Sequence, residues 1–179
     1  MPSLDTVPAQ FLISTAETVE SGLVQRLATS ILRGDARSAY FRMLTTPSRD
    51  ILANADFGLV KSGTSTLEAA LVGTPFAIVY KISPLSWMLG NILIRSPFKG
   101  LVNLIASEEV VPEFMQSDAT PEALARVAVR YLEDRELRAD MAARLARVRE
   151  RLTSQRATDV AAGLIAAHLR ESTGALARA

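Results

Sequence analysis

The stretch from Asp56 to Pro75, DFGLVKSGTSTLEAALVGTP, holds the residues best suited to chemistry. Ser62, Gly63, Thr64, Ser65 and Thr66 come directly after an apolar run and directly before a helical pattern. The first N–H groups of a helix have no intrahelical acceptor, and the helix dipole adds partial positive charge there. Gly63 can take a positive φ and let backbone approach a ligand, while the neighbouring hydroxyls add donors; together they suit an anion such as a phosphate. The same residues carry a second reading. Ser65-Thr66-Leu67-Glu68 has capping-box spacing, in which Ser65 and Glu68 satisfy the orphan backbone donors and bind nothing else. Spacing leaves both open, because anion binding and capping use the same donors.

Several other chemistries fall away on composition. There is no cysteine, which excludes disulfides, zinc ribbons and thiol catalysis. No acidic or histidine residues recur at ligand spacing, so neither a metal nor a cofactor is expected. Lys and Arg total 20 against 19 for Asp and Glu, which gives no field for holding nucleic acid through many phosphates. The lone histidine, His168, lies near the end of the last predicted helix, where a cation suits the dipole; no catalytic role is assigned to it. With 49% hydrophobic and 22% charged residues, the 179-residue chain has globular composition and the length of one domain.

The elements that position the loop follow from hydrophobic periodicity. Gln10–Ser14 reads as a strand, followed by a helix over Glu17–Leu32 in which Val19, Leu23, Leu27 and Ile31 form one apolar face. Tyr40–Leu44 reads as a second strand, and Ser48 as the cap of a short helix through Ala53. Asp56–Val60 and Phe76–Tyr80 are the third and fourth strands, with a helix over Ser65–Val72 ended by Gly73 and Pro75. Strands alternating with helices over short connections predict an α/β fold: a Rossmann-like parallel sheet with helices on both faces, spanning about 10–117. Ligands of such sheets bind beyond the carboxyl ends of the strands, where Ser62–Ser65 fall. Glu113 and Gln116 are placed on a short helix opened by Pro112. Beyond them a helical tail is predicted over about 121–170, in three helices: Pro121–Leu132, Arg135–Leu152 and Ala157–Leu169.

From Pro84 to Arg95, PLSWMLGNILIR, an apolar stripe at helical spacing is bracketed by Lys81, Arg95 and Lys99. Leu85 to Ile94 is expected to lie against a membrane surface, another domain or a second copy of the chain. The start, MPSLDTVPAQFLIS, has no basic and apolar signal-peptide pattern, and no run reaches the roughly 18 residues of a membrane span. A cytoplasmic protein, peripheral on the inner membrane, is the expectation.

Ala55-Asp56, the SGT and TLEAAL runs, Thr74-Pro75-Phe76, Val79-Tyr80-Lys81, Ser83-Pro84, Asn103-Leu104-Ile105-Ala106 and Glu109 through Glu113 (EVVPE) resemble, in order and spacing, the lipid-A-disaccharide synthase family. The resemblance covers about the last 170 residues. It implies the carboxyl-terminal, UDP-binding half of a glycosyltransferase built of two Rossmann-like domains. By resemblance, Ser62, Gly63, Thr64 and Ser65 face the diphosphate, and Glu68 accepts from the ribose hydroxyls. Asn103 matches a polar position near the donor, with Val102 where the family carries proline. Thr66, Lys81, Glu113 and Gln116 are further candidates near the cleft. The implied substrates are UDP-2,3-diacylglucosamine and 2,3-diacylglucosamine 1-phosphate. The family's Pro-Gly-Ser-Arg loop and acceptor-binding amino-terminal domain do not precede Gln10, so the chain reads as one partial domain and no catalytic base is assigned. Two alternatives stand beside this: the donor domain of another UDP-sugar transferase, and a non-catalytic α/β interaction domain.

Overall fold

A computed structural model describes residues 9–15, 19–31, 41–83, 96–154 and 157–176. In chain order these form β1 (Phe11–Ser14), α1 (Ser21–Ile31), β2 (Phe41–Leu44), α2 (Ser48–Leu52), β3 (Gly58–Lys61), α3 (Thr64–Val72), β4 (Phe76–Tyr80), α4 (Leu101–Ala106), β5 (Glu113–Met115), α5 (Pro121–Glu133), α6 (Arg135–Thr153) and α7 (Ala157–Leu176). A 3-10 turn, Gln116–Asp118, follows β5. All strand pairings are parallel, and helices connect the strands, which is the expected α/β class. Among the described residues the strands form two ladders, β1-β2 and β3-β4-β5, rather than one continuous sheet.

β4 is the middle strand of its ladder, and Phe76, Ala77 and Ile78 are each fully buried. A parallel strand covered on both faces is apolar without alternation, as FAIVY is. Around it cluster Val60 of β3, Ala69 and Ala70 of α3, Val102 of α4, and Met141, Leu145 and Val148 of α6. Burying each large apolar side chain contributes about 1.5–3 kcal/mol. The first two helices of the predicted tail therefore belong to the sheet's own layers: α6 fills its core, and Tyr131 of α5 stacks on Phe57, just before β3, at 4.9 Å. Burial raises the Tyr131 phenol pKa above its usual value, so the ring stays neutral.

Side chains satisfy the starts of α5 and α6 and the end of α4. Thr120 caps α5 and Asp134 caps α6, accepting from the Ala123 and Leu137 N–H groups. At the other polarity, Arg151 donates to the Ile105 and Ala106 carbonyls that end α4. A cation on those orphan acceptors also complements the helix dipole.

The structure departs from several of the expected elements. α1 starts at Ser21, and three residues of its expected apolar face are exposed: Val19, Leu23 and Leu27 are 37%, 43% and 54% exposed. Periodicity determines which residues share a face, not whether a neighbour covers it. Ser48 does not cap α2. Pro47 holds the N-cap position and its carbonyl accepts from Asp50 and Ile51, so Ser48 is already the first helical residue. Glu113 is a strand residue and Gln116 only opens the 3-10 turn: Ile78 donates to the Pro112 carbonyl and β5 adds to β4, so ladder pairing overrides the helix-start tendency of Pro112. The apolar segment Pro84–Arg95 lies outside the described residues.

Candidate functional site

β3 delivers its last residue, Lys61, beside Val79 of β4, and the Ser62 N–H extends the ladder by donating to the Val79 carbonyl at 2.9 Å. The chain then turns at Gly63, with φ 150° and ψ −163°, a region open essentially to glycine alone. Gly63 is the N-cap of α3, and no side chain caps that helix. The capping box is thus absent: Ser65 stands inside the first turn rather than at the cap, where its hydroxyl would face the orphan donors. Gly63 offers only its carbonyl, which accepts from the Thr66 N–H at 3.1 Å and the Thr66 hydroxyl at 2.7 Å. Thr66 is fully buried, so its hydroxyl pins the turn and is not presented to a ligand. The hydroxyls of Ser62, Thr64 and Ser65 make no hydrogen bond with other described residues. What remains is a helix start at the carboxyl edge of a parallel sheet, with uncapped N–H groups and three unengaged hydroxyls.

A Cβ on Gly63 would meet nothing within 4 Å, so the glycine is required by backbone conformation and not by crowding. Gly63→Ala is expected to cost about 1–3 kcal/mol through strain alone. Thermal unfolding should show a midpoint lower by roughly 2–10 °C. An unchanged midpoint would mean that the turn does not need this conformation.

Glu68 lies one turn further along α3, half-buried, and its Oε2 accepts from the Ser48 hydroxyl at 3.0 Å. Lys81 is exposed just past β4, at the same edge of the sheet as the loop. Those residues share one strand-turn-helix neighbourhood. The other candidates form a separate framework. Asn103 is fully buried; its amide donates to the Val111 carbonyl and to Glu113, and its oxygen accepts from the Val110 and Val111 N–H groups, each at 2.8–3.0 Å. A carboxamide has two donors and two acceptor sites, and all four are taken, so Asn103 has no polar atom left for a donor sugar. Glu113 accepts from the Lys99 and Gly100 N–H groups at 2.9 Å, at the start of α4. Gln116 bonds in both directions to Ile82, as a strand neighbour would, 2.8 Å from its N–H and 2.9 Å to its carbonyl. These three side chains hold the loops after β4 in place.

Two features were missed in the sequence. The Ser48–Glu68 contact spans 20 positions and leaves no trace in local spacing. The Asn103 framework did leave one: a lone polar residue inside the apolar run LVNLIA must find partners when that run is buried.

A family model described as lipid-A-disaccharide synthetase matches residues 20–166. The lipid-A-disaccharide synthase of Solibacter usitatus (strain Ellin6076) is 46% identical over 114 residues, which is 64% of this chain and 30% of that protein. That of Koribacter versatilis (strain Ellin345) is 35% identical over 153 residues, 86% of this chain and 39% of the relative. That of Syntrophus aciditrophicus (strain SB) is 33% identical over 165 residues, 92% and 42% of the respective chains. The chain spans well under half the length of the curated relatives it matches.

Proposed function

This chain belongs to the lipid-A-disaccharide synthetase family, and from that footing we propose that its β3–α3 unit binds the UDP of a nucleotide-sugar donor. The whole protein then transfers 2,3-diacylglucosamine from UDP to the 6-hydroxyl of 2,3-diacylglucosamine 1-phosphate. The observation that carries this reading is the uncapped start of α3 at Gly63, with the Ser62, Thr64 and Ser65 hydroxyls unengaged. In the transfer, the bond from the sugar C1 to the diphosphate oxygen breaks, the pair stays on UDP, and the acceptor oxygen bonds C1 as its proton passes to a general base that is not assigned among these residues. Negative charge grows on the diphosphate as it leaves. Fixed N–H and O–H donors aimed there stabilise that charge without reorganising, which is the larger part of what this unit offers to the rate. Glu68, with two acceptor oxygens, suits the two vicinal hydroxyls of a ribose. Lys81 adds a cation at the same edge. Substrates that carry acyl chains support a position on the cytoplasmic surface of the inner membrane. No helix among the described residues is long and apolar enough to cross it.

Titrating the chain with UDP while following its backbone amide spectrum tests the assignment. The Gly63, Thr64 and Ser65 signals should move most, with weak, saturable affinity. Disaccharide should not form with the 179-residue chain alone, because transfer needs donor and acceptor held in one geometry and no acceptor group is assigned among these residues. Spectral changes confined to residues away from this loop would overturn the reading of the site, and product formation by the chain alone would overturn the second expectation.

A further inference from the structure

We propose that Ser48 is a positioning residue for ribose recognition: its hydroxyl sets the Glu68 carboxylate and thereby makes the site discriminate ribonucleotides from deoxyribonucleotides. The inference rests on the reading of Glu68 given above and concerns a residue outside the loop and its helix.

Pro47 at the N-cap moves Ser48 one position into α2, where its hydroxyl no longer serves the helix's own N–H groups. It donates instead to Oε2 of Glu68 at 3.0 Å. The other end of α2 is tied to the same unit, since the buried Thr74 hydroxyl, two residues past α3, donates to the Leu52 carbonyl at 2.6 Å. α2 is therefore fastened to α3 at its first residue and to the turn after α3 at its last. Ser48 cannot drift relative to Glu68 without breaking the Thr74 bond or the packing of Leu52, which is 8% exposed.

A glutamate on a helix face otherwise samples several rotamers, and a ligand must select one of them at a cost in affinity. Here one carboxylate oxygen is held before the ligand arrives. The other, Oε1, makes no hydrogen bond with other described residues, and Oε2 keeps a second lone pair. Such a carboxylate is set for two adjacent hydroxyls and gains nothing from a sugar that lacks them. Ser48 itself need not touch the nucleotide.

The test compares UDP with 2′,3′-dideoxy-UDP on the 179-residue chain by calorimetry or amide titration, with circular dichroism and thermal midpoints as controls for folding. The wild-type chain should prefer UDP by roughly tenfold or more, the scale of hydrogen bonds to a charged group. Ser48→Ala should lower UDP affinity about threefold to tenfold while changing dideoxy-UDP affinity less than about twofold, so the preference collapses. Ser48→Thr, which keeps the hydroxyl, should restore it. Equal loss for both nucleotides, or an unchanged preference in Ser48→Ala, would overturn the positioning role while leaving the Glu68 reading intact. A wild-type chain that binds the two nucleotides equally would overturn the Glu68 reading and this inference with it, and no UDP binding at all would overturn the proposed function.

Discussion

Asn103→Ala is expected to destabilise the chain by about 3–5 kcal/mol, the largest effect of any single polar substitution among the described residues. The change removes four hydrogen bonds and leaves the Val110 and Val111 N–H groups without their acceptor in a fully buried setting. Each stranded buried donor costs about 1–3 kcal/mol, and the void left by the amide adds to that. Against a total stability of about 5–15 kcal/mol, much of the folded population is at stake. Denaturant unfolding measures it. A loss below about 1 kcal/mol would mean that water replaces the amide at every position. Asn103→Asp adds a sign. It retains the acceptor oxygens but sets a second carboxylate where the amide now lies 2.8 Å from Glu113. Two like charges at that distance raise the pKa of the introduced group in the folded state. A raised folded-state pKa means stability that is present in acid and lost as pH rises through that value. Asn103→Asp should therefore lie further below the wild type at neutral pH than at pH 4; equal deficits at both would refute the contact.

Glu68→Ala should weaken UDP binding about tenfold to a hundredfold while the fold persists. Hydrogen bonds to a charged group are each worth about 1.5–3 kcal/mol, and every factor of ten in affinity is 1.4 kcal/mol. Stability should change little: Glu68 is half-buried, its one hydrogen bond is to Ser48, and that hydroxyl can turn to water. Glu68→Gln separates charge from shape, because the amide keeps one acceptor oxygen and should recover part of the affinity. Calorimetric titration of the three chains decides it. Undiminished UDP binding in Glu68→Ala would leave Glu68 as a link between α2 and α3 and nothing more.

What is legible in the sequence is short in range. Alternation of short apolar runs with helical periods places all four early strands within three residues of their observed bounds. The same reasoning puts Gly63 at the turn, because a small-residue run between a strand and a helix has few other uses; β3 itself is buried only at Val60, with Leu59 exposed. α5 and α6 begin at Pro121 and Arg135, as expected, and Thr120 and Asp134 cap them, capping being chemistry between residues three apart. Membership of the family is equally a property of the residues in order.

What tertiary structure decides is every contact whose partners lie far apart in the chain. Glu113 sits after a proline that favours a helix start, yet parallel pairing with β4 makes it a strand residue, and the start of α4 claims its carboxylate. Asn103 matched a ligand-contacting position by resemblance, but burial on all sides turned its four bonding positions inward. Ser65 and Glu68 have capping-box spacing, and a box could form only with Ser65 at the N-cap. The ladder carries Ser62 to Val79 and the helix begins immediately after Gly63, so that position belongs to a glycine without a side chain. Glu68 is left to meet Ser48 from 20 residues away. Local sequence sets which backbone donors go unpaired; the packing of distant elements decides what, if anything, comes to satisfy them.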